Sequence, residues 1–190
     1  MKKEVEILVE VLDKKNIAIK KLRKLKFLGH KKTLDIYFYD PLRKDLIPDK
    51  DGQLKRCLRI RSKDSEGFIA YKIDHFDTKG FWLYSDEYES KISDYMKACD
   101  IFKRIGLKEL IRIENIKSTF ISKKYEIVLE VVKGLGLFME VERHNVKANE
   151  NIVQVKNEIW NWIKSLGIKV SLELKMGKPE LMLRKKRWIK

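Results

Sequence analysis

The chain is poor in the residues that staple, ligate or span. It has only two cysteines, Cys57 and Cys99, in different expected elements, so a disulfide framework is excluded and reduced thiols are expected. Its three histidines, His30, His75 and His144, are scattered, so neither a zinc site nor a Ser-His-Asp arrangement is indicated. No apolar run approaches the roughly 18 residues of a membrane span, and Met1-Lys2-Lys3-Glu4 lacks the apolar core of a secretory signal. A soluble, cytoplasmic protein without a membrane partner is the expectation. Repeats and low-complexity linkers are also lacking.

Charge is plentiful. Charged residues make up 37%, yet the 44% hydrophobic content supplies a core and argues against disorder. The net charge of +15 favours a polyanionic partner such as nucleic acid, nucleotide or polyphosphate. Lysine-rich, solvated helix faces would give the same composition. A nucleic-acid partner therefore stays open, as does a homodimer.

Alternation of Val5, Ile7, Val9 and Val11 with Glu4, Glu6, Leu8 and Glu10 predicts a strand over 4–11. Ile17, Ile19, Leu22, Leu25 and Phe27 among lysines predict an amphipathic helix over 14–28, ending near Gly29. Further strands are expected at 34–39, 57–62, 68–74, 81–92, 110–121, 124–132 and 137–143. Residues 41–53 read as a loop. A second helix is expected over 94–106, with Tyr95, Met96, Ala98, Cys99, Ile101, Phe102 and Ile105 inward, and a third over 150–166. Trp160 and Trp162 lie two apart, which places one in the core and the other partly exposed. Residues 1–175 form the expected domain, and 176–190, with Arg184-Lys185-Lys186-Arg187-Trp188, a basic extension.

The strands carry charge on one face and apolar residues on the other. Glu4 with Glu6, Arg59 with Arg61, Lys72 with Asp74, Glu87 with Glu89, Glu126 with Glu130, and Glu140 with Glu142 each share a face. The fold class expected is α+β, mainly β: a closed, antiparallel, eight-stranded barrel, charged inside and covered outside by amphipathic helices. Clustered carboxylates call for a hard divalent cation, and clustered Arg and Lys for an anion; a metal-bridged phosphate satisfies both. Faces paired in water as surface salt bridges are the alternative.

In order along the chain, Glu4-Val5-Glu6, Asp35-Ile36-Tyr37-Phe38, Leu58-Arg59-Ile60-Arg61, Tyr71-Lys72, Glu87-Tyr88-Glu89, Leu129-Glu130 and Gly134-Leu135-Gly136 through Phe138 to Glu140-Val141-Glu142 resemble the motifs of the CYTH superfamily. These are the triphosphate tunnel metalloenzymes, among them class IV adenylyl cyclases, thiamine triphosphatases and inorganic triphosphatases. The resemblance implies a Mg²⁺- or Mn²⁺-dependent enzyme acting on ATP, thiamine triphosphate or tripolyphosphate. It implies Glu4, Glu6 and Lys72 as catalytic residues, Arg59, Arg61, Lys72 and Lys117 on the phosphates, and Glu4, Glu6, Glu130, Glu140 and Glu142 on the metal. Asp35, Glu87 and Glu89 complete the tunnel. The sequence departs from the pattern at Leu8 and Asn115, where lysines are expected, and at Glu130, where the family has aspartate. These departures raise a second reading, a non-catalytic module that binds nucleotide, polyphosphate or RNA ends.

Overall fold

The computed structural model describes residues 2–50, 52–64 and 66–186. Among these, nine strands form one antiparallel sheet: β1 (Lys2–Glu4), β2 (Glu6–Glu10), β3 (Lys26–Tyr39), β4 (Arg56–Lys63), β5 (Glu66–Phe76), β6 (Trp82–Ile92), β7 (Lys108–Ile121), β8 (Tyr125–Val132) and β9 (Gly136–Arg143). The helices are α1 (Lys15–Leu22), α2 (Tyr95–Arg104), α3 (Ile152–Ser165) and α4 (Lys178–Lys185).

The strand order is β1-β6-β5-β4-β3-β7-β8-β9-β2. Its two ends, β1 and β2, are separated in sequence only by Val5, whose carbonyl accepts from Arg143 N at 3.1 Å. The sheet therefore curls until its edges meet in one extended run, making a nearly closed barrel. The expected first strand is thus two, because its first residues pair with β6 and the rest with β9. That split accounts for nine strands where eight were expected.

The barrel is apolar outside, as anticipated. Ile7, Val9, Ile127, Leu129, Met139 and Val141 pack under α3 through Val155, Ile159 and Ile163, and under α1 through Ala18 and Leu22. Each fully buried aliphatic side chain there contributes about 1.5–3 kcal/mol. On another face Ile36, Phe38 and Ile60 meet Cys99 and Phe102 of α2, with the Phe38 and Phe102 rings edge to face at 5.2 Å.

Three local expectations are corrected. The first helix stops at Leu22, since β3 runs back to Lys26 and pairs with β7 over its whole length; that ladder overrides the helical period and takes Phe27 and Gly29 into the strand. In α2, the 95-98-99-102 stripe faces the sheet, which turns Met96, Ile101 and Ile105 out to solvent. Trp160 and Trp162 are both half-buried against the large outer core, Trp162 beside the Tyr125 ring at 4.7 Å.

After α3 the chain passes along β2 as a strap. Val170 bridges Val11, Ser171 N donates to Glu10 O (2.9 Å) and Leu174 N to Leu8 O (3.0 Å). The strap leads into α4, which starts with Gly177 as N-cap and Pro179 in its first turn and buries Met182 and Leu183 against Leu8, Tyr37, Leu54 and Phe138 at one end of the barrel. Of the basic ending, Arg187 and Trp188 lie outside the described residues. No helix among the described residues is long and apolar enough to cross a membrane.

Candidate active site

The barrel encloses a cavity of about 750 Å³. Glu4, Glu6, Arg59, Arg61, Lys72, Glu87, Glu89, Lys117, Glu140 and Glu142 all line it, because strand alternation turns each pair inward. Asp35 and Glu130 are not in the lining; they stand behind residues that are.

The wall divides by charge. The adjoining strands β5, β4, β3 and β7 contribute Lys72, Arg59, Arg61, Lys63, Lys31 and Lys117, whereas β8, β9, β2, β1 and β6 contribute Glu126, Glu140, Glu142, Glu6, Glu4, Glu87 and Glu89. Asp74 on β5 is an acidic exception, at the α4 end. One half of the tunnel is basic and the other acidic.

In the acidic half the register sets like charges side by side. Glu142 lies directly opposite Glu6 on one neighbour and Glu126 on the other. Directly opposed residues hold their Cβ atoms about 4.5–5.5 Å apart, so three carboxylates in a row repel unless a cation intervenes. Burial, then Glu140 and Glu4, push the Glu6 carboxyl well above the usual range. Burial and a hydrogen bond with Glu4 push Glu87 up to about 7. Burial would raise Glu140 too, but the Lys178 and Lys117 charges hold it well below the usual range.

The basic half is braced from behind and from the side. Arg61 donates in parallel to Asp35, Nε to Oδ1 at 2.6 Å and Nη2 to Oδ2 at 2.8 Å. Arg59 Nη2 donates to Glu87 (3.2 Å) and Glu89 (3.1 Å), while its Nε is buried without a hydrogen-bond partner. Lys72 pairs with Glu4 and lies 3.4 Å from Glu87. Burial opposes the Lys72 charge, but Glu4, Glu87 and Glu6 together outweigh it and keep the ammonium protonated. Burial and Arg61 lower the Lys117 pKa.

The residue most clearly missed from sequence is Lys178, the first of α4. It enters the tunnel from outside the sheet, donating to Glu130 Oε1 at 2.6 Å and to Glu140 Oε2. Gly177-Lys178-Pro179-Glu180 is a readable helix start, yet nothing in it says that the helix plugs the barrel. The α4 end of the cavity also carries Phe76, Phe81, Trp82, Leu174 and Met176, an apolar mouth with Lys175 Nζ 3.9 Å over the Phe81 ring.

As ligands for a divalent cation, Glu4, Glu6, Glu140 and Glu142 supply hard oxygen donors on adjoining strands, which fits Mg²⁺ or Mn²⁺, although Lys72 and Lys178 already pair with Glu4 and Glu140. Among the described residues no three His, Cys, Asp or Glu side chains converge as a ready-made metal site.

Comparison with known proteins places this geometry. The CYTH domain family matches residues 2–174. A Methanocaldococcus jannaschii protein named "Putative adenylate cyclase" is 35% identical over 168 residues, 87% of this chain and 90% of that one. Among solved structures, a Pyrococcus horikoshii protein superposes with a TM-score of 0.78 at 27% identity, over 96% of this chain and 99% of that one. A Hippeastrum protein, described as a "putative adenylyl cyclase" with a dominant triphosphatase activity, shares the fold with a TM-score of 0.64 at 14% identity, over 96% and 95% of the two chains.

Proposed function

The chain belongs to the CYTH domain family, and on that premise we propose that it is a divalent-cation-dependent enzyme acting on an organic triphosphate. The observation that carries this reading is the division of one enclosed cavity into a basic and an acidic half. A triphosphate meets the first directly and the second through a cation.

Arg59, Arg61, Lys72 and Lys117 bind the phosphate oxygens. Arg59 has an unused buried Nε–H for this, and buried polar atoms are rarely left unsatisfied. Asp35 positions Arg61, and Glu87 and Glu89 position Arg59, so both guanidinium groups are set before the ligand arrives. Glu4, Glu6, Glu140 and Glu142 would hold the cation, which when bound neutralises phosphate charge and polarises the phosphorus centre. Glu87, with its pKa raised to about 7 and its hydrogen bond with Glu4, can take up or release a proton beside Lys72 near neutral pH. The apolar mouth of Phe81, Trp82, Leu174 and Met176 suits the organic part of the substrate.

Two reactions use such a cradle: water at the terminal phosphorus displaces the diphosphate and releases phosphate, a triphosphatase, and a ribose hydroxyl at the α-phosphorus displaces pyrophosphate, a cyclase. The test is phosphate release and cyclic nucleotide formation from ATP, thiamine triphosphate and tripolyphosphate, with Mg²⁺ and Mn²⁺. Arg59→Ala and Arg61→Ala should each lower turnover by about 10²–10³-fold, the scale for a lost charge-stabilising donor. Absence of product with every substrate, alongside tight triphosphate binding, would support the second reading, a binding module. That reading draws on Leu8, which leaves β2 without the lysine of the family pattern.

A further inference from the structure

An ammonium group from outside the sheet is paired with the carboxylates of the acidic half of the tunnel. Lys178 supplies it from α4 and bridges Glu130 and Glu140. Burial would discharge this lysine, yet Glu130, Glu140 and Glu6 hold its pKa well above the ordinary value. A monovalent cation thus sits among the carboxylates that a divalent ion would use. Its own backbone is fixed, because Met182 and Leu183 anchor α4 in the core, so any change of partner falls to the side chain.

The two partners of Lys178 differ. Glu140 lines the cavity, while Glu130 is fully buried behind it. Glu130 Oε1 accepts from Lys178, and Oε2 makes no hydrogen bond and lies 3.7 Å from Lys117 Nζ. Glu130 therefore serves as a rear anchor for two lysines and can keep Lys178 charged when Glu140 is taken away. A divalent ion on Glu140 would stand beside the ammonium and repel it, unless an anion lies between them.

Resting on the triphosphate reading of this cavity, we propose that Lys178 is the resident counter-ion of the tunnel. It holds Glu140 while the tunnel is empty, yields it to a divalent cation, and turns to the phosphate chain when that is present. Metal and Lys178 compete for Glu140 in the absence of phosphate and cooperate in its presence. The consequence is a change of sign that a lysine with a merely structural or merely phosphate-binding role would not give.

The experiment is Mn²⁺ binding without phosphate, by calorimetry, to the wild-type chain and to Lys178→Met. Tripolyphosphate binding is then measured on both in the presence of Mg²⁺. Losing one charge-assisted contact is worth about tenfold or more in affinity, so Mn²⁺ should bind about tenfold tighter to the variant and tripolyphosphate at least about tenfold weaker. Equal or weaker Mn²⁺ binding by the variant overturns the counter-ion role alone. A wild-type chain that binds neither Mn²⁺ nor tripolyphosphate overturns the triphosphate reading and this proposal with it. Should Lys178→Met not fold, acetylation of wild-type Lys178, followed by mass spectrometry, decides. Mg²⁺ alone should speed labelling several-fold and added tripolyphosphate should suppress it; no response to Mg²⁺ overturns the exchange.

Discussion

Asp35 and Arg61 face each other across β3 and β4 and form a two-point ion pair in which only the arginine reaches the cavity. Asp35 is 1% exposed, so it acts as the fixed rear wall of a cavity-facing guanidinium. Asp35→Asn would leave a buried charge without its counter-ion, which costs about 3–5 kcal/mol. Urea unfolding at neutral pH should show a loss of that size. Burial would raise the Asp35 pKa, but Arg61 holds it well below the usual carboxylate range. A depressed carboxylate stabilises the fold above its unfolded pKa of about 4, and that stability drains away as pH falls below it. The wild-type chain should therefore lose stability steeply below about pH 4, and Asp35→Asn less steeply.

The raised carboxylates predict the opposite slope at higher pH. Burial lifts Asp74 to about 6 and Glu180 to about 7, and burial with the Glu4 hydrogen bond lifts Glu87 to about 7. Between the unfolded value near 4 and these values, the folded chain holds protons that the unfolded chain releases. Stability is thus fully present below about pH 4 for these groups and is lost as pH rises through about 7. Melting temperature, measured without divalent ions, should fall between about pH 5 and pH 8, by about 2–4 °C for each kcal/mol lost. Saturating Mg²⁺ at pH 8 should recover part of it, since binding to the folded state alone is stabilising. A flat profile would mean that these carboxylates are ionised and compensated without metal.

Glu6 concentrates that conflict, since burial, Glu140 and Glu4 all disfavour its charge. Glu6→Gln removes the charge and retains the shape. In metal-free buffer at pH 8 it should stabilise the fold, since the folded state then no longer opposes a charge at this position. The same variant should lose most of the Mn²⁺-induced rise in melting temperature. Destabilisation in metal-free buffer would show that Glu6 is held as an anion by the lysines, and would remove it from the metal set.

Much of this site was legible in the sequence, because strand alternation is local. Arg59 and Arg61, or Glu140 and Glu142, cannot share a strand face without sharing a cavity once the barrel curls. What was not legible depends on pairs distant in sequence. The split at Val5 follows from β1 and β2 finding different neighbours, and the withdrawal of Glu130 behind the wall follows from Lys178, 48 residues further on. The length of β3 was hidden for the same reason: Lys26 through Thr33 read as a helix end and loop until β7 pairs with them.

Lys156 ties the strap to the barrel from outside. Its ammonium, on α3, donates to Trp82 O at 3.1 Å, lies 2.5 Å from Glu173 and sits 4.7 Å over the Trp82 ring. Trp82 and Glu173 both line the cavity, so this contact sets the α4 mouth. Lys156→Met keeps the apolar stem and abandons Glu173, which should cost about 3 kcal/mol. Adding Glu173→Gln should return part of that loss. In thermal melts, the double variant should therefore be more stable than the sum of the single losses predicts.

Leu8 lies directly opposite Glu140 across β2 and β9, at the position where the family pattern has a lysine, and it is buried at 3% exposure. Lys178 reaches the same Glu140 from α4. Glu140 is thus open to an ammonium by two routes, from β2 and from α4. Leu8→Lys alone should be destabilising, because a second buried ammonium would compete for Glu140 while the apolar contacts of Leu8 with the α4 cluster are lost. Removing a buried leucine and burying a charge without its own partner together cost several kcal/mol. Lys178→Leu alone should leave Glu140 and Glu130 short of a cation and weaken tripolyphosphate binding. The exchange variant, Leu8→Lys with Lys178→Leu, restores one ammonium to one carboxylate and returns an apolar group to the α4 side. It should melt above Leu8→Lys and bind tripolyphosphate more tightly than Lys178→Leu, by about tenfold for one recovered charge-assisted contact. If the exchange variant binds no better than Lys178→Leu, an ammonium from β2 cannot do the work of Lys178, and its approach from α4 is itself required.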